Sequence, residues 1–145
     1  MAIEIGDAMP EHDALKDRRG GRLALYFYPK DATAGCTREA QDFSALLPEF
    51  ADAGVAVLGV SRDTMKSHAR FTDKYELTVP LVSDADGALS EAFGVWVEKS
   101  MYGRKFMGVE RATFLFGADG RLARAWRKVK VAGHAAEVLG AARSL

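Results

Sequence analysis

The chain contains only one cysteine, Cys36. That count excludes an intramolecular disulfide framework and a Cys-x-x-Cys redox pair, and a solitary free thiol favours a reducing compartment. Neither sign of charge predominates: twenty Lys and Arg balance twenty Asp and Glu, for a formal net charge of zero. Strong attraction to nucleic acid or anionic lipid is therefore not expected, and a small neutral substrate suits the balance. Long hydrophobic runs are missing too, since no stretch approaches the roughly 20 residues that span a bilayer. Residues 1–7 carry neither a basic n-region nor an apolar h-region, so a cytoplasmic protein without membrane attachment is expected. His12, His68 and His134 are too scattered for a metal-ligand pattern and have no second cysteine to join them. No metal and no cofactor is expected.

What is present suffices for one domain over residues 1–145, with 48% hydrophobic content to build a core. The first twenty or so residues read as irregular, punctuated by Pro10 and Gly20-Gly21. The apolar run at 23–28, stopped by Pro29, reads as a strand buried on both faces. A loop at 30–35 leads into a helical pattern, with Ala40, Phe43, Leu47 and Phe50 at spacings of three and four, closed by Ala53-Gly54. A second buried strand at 55–60 follows. Ser61-Arg62-Asp63 offers capping chemistry for a helix running to about Tyr75, and a short helix is expected near 89–93. Two strands, at 112–116 and 122–126, flank a tight turn at 118–120, and a terminal helix begins near Ala132. A parallel βαβ half, an antiparallel hairpin and a closing helix make the order of a thioredoxin-like α/β fold, a central mixed sheet flanked by helices.

Cys36 stands where the loop turns into the helix, near unpaired backbone N–H groups and the positive end of the helix dipole, which favours a thiolate. It also precedes Ala40 by four residues and Phe43 by seven, which puts it on the apolar face. Burial works against a thiolate, so reactivity needs a compensating cation or donor. Without one, an inert buried cysteine is the reading.

The spacing Pro-x-x-x-Thr-x-x-Cys at Pro29, Thr33 and Cys36 resembles the active-site loop of peroxiredoxins. The likeness continues through Tyr26-Phe27-Tyr28-Pro29-Lys30-Asp31, Gly35-Cys36-Thr37-Arg38-Glu39-Ala40, Lys99-Ser100-Met101-Tyr102-Gly103, the stretch Gly108-Val109-Glu110-Arg111-Ala112-Thr113-Phe114-Leu115, and Val129-Lys130-Val131-Ala132-Gly133-His134. From about Ile5 to the end the sequence is similar to the bacterioferritin comigratory protein, or peroxiredoxin Q, subfamily of the AhpC/TSA superfamily. The resemblance implies that Cys36 attacks a peroxide oxygen, Thr33 orients the peroxide, Pro29 shields the sulfur from water and Arg111 supplies the cation. Glu39 matches a family glutamate that could hold Arg111. Alternatively, as an acidic residue in a first helical turn, it stabilises the helix by roughly 0.3–1 kcal/mol and does nothing else.

Many subfamily members carry a resolving cysteine five residues after the peroxidatic one, where this chain has Gln41, and others place it in a segment corresponding to 84–93, which has none. A one-cysteine form is implied, recycled by an external thiol: thioredoxin, glutaredoxin or a low-molecular-weight thiol. Ala34 replaces the proline usual after the threonine, which leaves the loop less restrained. The amino-terminal hairpin reads as truncated. The expected function is a thiol-dependent peroxidase acting on hydrogen peroxide and organic hydroperoxides through a Cys36 sulfenic acid, as a monomer or weak dimer. The alternative is a peroxide sensor or relay that passes oxidation to a partner by mixed disulfide. Trp96, Tyr102, Phe106 and Met107 read as core packing in preference to substrate contact. Arg121, Arg124, Arg127, Lys128 and Lys130 read as an ordinary solvated face, and His134 as a structural residue of the terminal helix.

Overall fold

The computed structural model describes residues 3–18 and 21–145. Met1, Ala2 and Gly20, which enter the readings of the leader and of the Gly20-Gly21 pair, lie outside the described residues. The run at 23–28 forms β1 (Arg22–Phe27), in which all but Arg22 is buried. β2 (Val55–Ser61) lies parallel to β1, and β3 (Leu81–Ser83) parallel to β2. On the other side, numbering the strands along the chain, β6 (Ala112–Phe116) runs antiparallel to β1 and β7 (Leu122–Trp126) antiparallel to β6. The sheet order is β3-β2-β1-β6-β7. A mixed five-stranded sheet with β1 at its centre explains why the most continuous apolar run sits there, since both its faces need cover.

Alternation along β1 divides the core in two. Ala24, Tyr26 and Tyr28 face α1 (Ala34–Asp52), α2 (Met65–Tyr75) and α4 (His134–Arg143) through Phe43, Phe50, Phe71 and Val138. Leu23, Leu25 and Phe27 face the opposite layer, where Leu15 and Leu89 pack. Leu89 belongs to α3 (Ala88–Ala92). Leu15 lies in a 3-10 turn, Asp13–Arg18, within the segment read from sequence as irregular. Each such fully buried side chain contributes about 1.5–3 kcal/mol of transfer free energy.

One local reading is corrected. The cap of α2 is Thr64, whose side chain accepts from the Ser67 N–H at 3.1 Å, and Asp63 instead accepts from the Asp31 N–H at 3.0 Å. The carboxylate thus ties the loop after β1 to the loop after β2. The helix of Cys36 also contains Pro48, which cannot donate to the carbonyl of Ser44. That carbonyl accepts from Thr78 Oγ1 at 3.2 Å, while Ser44 Oγ accepts from the N–H groups of Thr78 and Val79, both at 3.1 Å. The segment after α2 is thereby pinned to α1.

A hairpin separate from the main sheet completes the fold: β4 (Trp96–Met101) pairs antiparallel with β5 (Arg104–Val109). Tyr102 and Gly103 turn it with φ of 53° and 76°, the twist that a two-residue hairpin loop requires. Among the described residues no helix is long and apolar enough to cross a membrane.

Candidate active site

β1 delivers the chain to the site. Phe27, its last residue, pairs with Ala112, so Arg111 stands beside the loop that leaves β1 and enters α1. Cys36 is the third residue of α1 and only 1% exposed, packed with Ala40 and Phe43. Thr33 is the N-cap residue, yet its side chain makes no capping bond, and the first turn begins with the Thr37 N–H donating to the Thr33 carbonyl at 2.9 Å. The helix therefore presents early N–H groups and its positive end toward the sulfur.

The cation demanded by burial is present. Arg111 Nη2 donates to Cys36 Sγ at 3.3 Å, and Arg111 Nη1 donates to Glu39 Oε1 at 2.7 Å. The guanidinium thus sets a positive charge in direct contact with the buried sulfur. Gly35 permits the approach, because a Cβ there would lie 3.2 Å from Arg111 Nη2. Burial opposes the charge on Arg111, but Glu39 and Cys36 together raise its pKa above the usual value.

Glu39 does not act as a first-turn dipole partner. It lies beyond the first turn, is 1% exposed and points at Arg111. Burial pushes its pKa up to about 7 against the downward pull of Arg111. Its second oxygen, Oε2, is buried without a partner among the described residues. Of the five residues singled out from sequence, Cys36, Arg111 and Glu39 form one bonded chain, and Pro29 and Thr33 flank it on the loop. The Thr33 hydroxyl donates to the Lys30 carbonyl at 2.8 Å, so its proton is committed and lone pairs remain on its oxygen as acceptors.

Pro29 also lines a cleft of about 420 Å³, together with Trp96, Lys99, Phe106, Met107 and Val109. Reading the aromatic-rich segment as core packing holds for Trp96, which packs against the Leu89 and Phe93 layer, and is overturned for Tyr102, Phe106 and Met107. Phe106 and Met107 are 44% and 49% exposed, Tyr102 at the hairpin tip is 98% exposed, and Trp96 is half-buried beneath the Arg62 guanidinium, 4.2 Å from its ring centre. A two-stranded hairpin outside the main sheet has no second layer to bury it. Lys99 lies on the wall of the same cleft. Burial and then Arg111 lower its pKa, while Cys36 and Glu110 act in the opposite direction.

Arg121, Arg124, Arg127, Lys128 and Lys130 are all exposed, as a solvated face requires, and three of them also make local contacts. Arg121 Nη1 donates to the Gly6 carbonyl at 2.9 Å, Arg127 Nη2 to the Phe93 carbonyl at 3.0 Å, and Arg124 stacks over Trp126. His134 opens α4 from the interior, its Nε2 2.7 Å from Thr113 Oγ1, and burial lowers its pKa to about 4. Among the described residues no group of three or more His, Cys, Asp and Glu could hold a metal ion.

The AhpC/TSA family model matches residues 6–125. The chain belongs to the AhpC/TSA family. Within it, this peroxiredoxin is 55% identical over 130 residues to Peroxiredoxin Bcp of Xanthomonas campestris pv. campestris, covering 90% of this chain and 81% of that one. It is 43% identical over 148 residues to Peroxiredoxin Bcp of Bacillus subtilis, covering 96% and 94%. Among solved structures, Xanthomonas campestris Peroxiredoxin Q aligns with a TM-score of 0.85 at 55% identity, covering 90% of this chain and 82% of that one. A cysteine-to-serine mutant of Xylella fastidiosa PrxQ aligns with a TM-score of 0.91 at 44% identity, covering 99% and 98%. The fold is thioredoxin-like, and the enzyme is a thiol peroxidase of the Bcp/PrxQ type.

Proposed function

We propose that Cys36 is the peroxidatic nucleophile, that its substrates are hydrogen peroxide and organic hydroperoxides, and that an external thiol recycles it. The observation that carries this reading is the buried sulfur 3.3 Å from a guanidinium that is itself braced by buried Glu39. In that setting the thiolate attacks one peroxide oxygen: an S–O bond forms, the O–O bond breaks, and the departing oxygen takes a proton to leave as water or an alcohol. Cys36 becomes a sulfenic acid. Arg111 stabilises negative charge on the sulfur and on the oxygens in line with it, while Thr33 accepts the hydrogen of the peroxide and fixes its direction. Pro29 covers the sulfur, and Glu39 positions Arg111.

The apolar cleft beside Pro29 supports room for the organic part of a hydroperoxide. A bacterioferritin comigratory protein of Xanthomonas campestris, 48% identical with a TM-score of 0.85, is described by its alkyl peroxide reduction activity, and the same class of substrate suits this cleft.

With no second cysteine in the chain, an incoming thiol condenses with the sulfenic acid, releases water and leaves a mixed disulfide. A second thiol then frees Cys36. Steady-state peroxide consumption with thioredoxin, glutaredoxin and glutathione compared side by side tests the cycle. Sustained turnover with at least one of them is expected. Stoichiometric oxidation that stops at a mixed disulfide with one protein partner points to the sensor or relay, and an unreacted Cys36 overturns both.

A further inference from the structure

The geometry points to His68 as a positioning residue of the peroxidase: through the Asp31 carboxylate it holds the loop between β1 and α1 in the shape that sets Pro29 and Thr33 around the sulfur. The inference rests on the reading of Cys36 as the nucleophile. The loop needs a restraint. Its residue 32 is an alanine with φ of 63°, a conformation that side-chain-bearing residues adopt only where the surroundings impose it.

The restraint is the residue before it. Asp31 is 7% exposed, and its carboxylate accepts three hydrogen bonds: from the Tyr28 hydroxyl at 2.6 Å, Ser67 Oγ at 2.7 Å and His68 Nδ1 at 2.8 Å. Its N–H donates to Asp63 Oδ2 at 3.0 Å. His68, 5% exposed, directs Nε2 to the Val82 carbonyl at 3.0 Å. Each ring nitrogen of His68 thus faces an acceptor, the Asp31 carboxylate on one side and a peptide carbonyl on the other. What the pair adds is a fixed point two residues from Pro29 and two from Thr33. His68 touches neither the sulfur nor the cleft; it borders a separate hollow between α2 and β3.

Two variants separate the two ends of the imidazole. In His68→Asn the amide nitrogen takes the place of Nδ1 and keeps the bond to Asp31; in His68→Gln it reaches the place of Nε2 and keeps the bond to Val82 instead. The readouts are the stopped-flow rate of Cys36 oxidation by hydrogen peroxide and the rate of Cys36 alkylation by iodoacetamide, which needs a thiolate but no aligned Thr33. His68→Gln is expected to slow oxidation by about 10- to 100-fold while alkylation stays within about threefold, and His68→Asn to recover most of the oxidation rate. Equal oxidation rates in the two variants, or a slower His68→Asn, overturn the inference, because a residue that only joined α2 to β3 would give that pattern. If His68→Gln does not fold, Ser67→Ala serves: it removes one donor to the same Asp31 oxygen from a helical position that suits alanine. A several-fold slower oxidation with unchanged thermal unfolding supports the assignment, and an unchanged rate refutes it. Failure of the peroxidase reading looks different, since Cys36 would then resist peroxide in the unsubstituted protein as well.

Discussion

Replacing Arg111 by methionine keeps most of the side chain's reach and removes its charge, and the consequence for Glu39 can be followed by pH. The comparison belongs in a Cys36→Ser background, so that no thiol titrates. Glu39 has a pKa of about 7 in the fold against an ordinary 4.5. For an acid raised on folding, the associated stability is fully present below the unfolded pKa and is lost as pH rises through the folded one. The background protein should therefore lose about 3 kcal/mol between about pH 4.5 and pH 7 through this group, and nothing further above. Without Arg111 the carboxyl is pushed higher still, and the loss continues past pH 7 at about 1.4 kcal/mol per pH unit. Urea unfolding from about pH 5 to about pH 9 should show two curves that run parallel below pH 7 and diverge above it. Adding Glu39→Gln to both proteins should remove the divergence. Curves that stay parallel to the alkaline end would refute the claim that Arg111 sustains a buried Glu39 carboxylate.

Three further expectations are simpler. Thr33→Val should slow Cys36 oxidation at least about tenfold in stopped-flow, because an acceptor that aligns the peroxide is lost, while stability falls by only about 1 kcal/mol with the bond to the Lys30 carbonyl. His134 has its pKa depressed to about 4 against an ordinary 6.5, so it contributes stability present above about pH 6.5 and lost as pH falls through about 4. Measured in a Glu39→Gln background, to remove the opposite trend in the same window, His134→Gln should flatten the acid limb of unfolding free energy by at most about 3 kcal/mol, reduced by solvent screening. Ser44→Ala should lower stability by about 1–2 kcal/mol in urea unfolding by leaving the Thr78 and Val79 N–H groups unpaired, with Cys36 oxidation unchanged.

The parts of this molecule that could be read in advance are those whose signal is local. β1 and β2 announce themselves as apolar runs, α1 as a three-and-four spacing through Phe43 and Phe50, and Cys36 as a thiol at a helix start. The β4–β5 hairpin escaped because it has little to bury: its strands alternate poorly, and Tyr102-Gly103 lacks the usual Asn-Gly signal. Arg111 and Glu39 stand 72 residues apart, so no periodicity joins them; resemblance suggested the pair, and only the antiparallel register of β6 on β1 explains the contact. The Asp31–His68 pair, separated by 37 residues, lay beyond any pattern in composition or spacing. A scattered histidine looks the same in sequence whether it is solvated or buried against a carboxylate. The direction of the Thr33 hydroxyl depends on one loop carbonyl and could not be assigned before the loop was seen.

Intact-mass spectrometry of the whole protein treated with graded hydrogen peroxide addresses the peroxidatic role of Cys36 most directly. One equivalent should add a single oxygen, captured by a sulfenic-acid trap; subsequent glutathione should convert untrapped protein to one mixed disulfide and then return the thiol. Excess peroxide without reductant should add further oxygens at the same residue, since no second cysteine intercepts the sulfenic acid, and Cys36→Ser should show none of these products. A Cys36 that stays reduced through the titration, with neither a trapped adduct nor a mixed disulfide, would contradict the account.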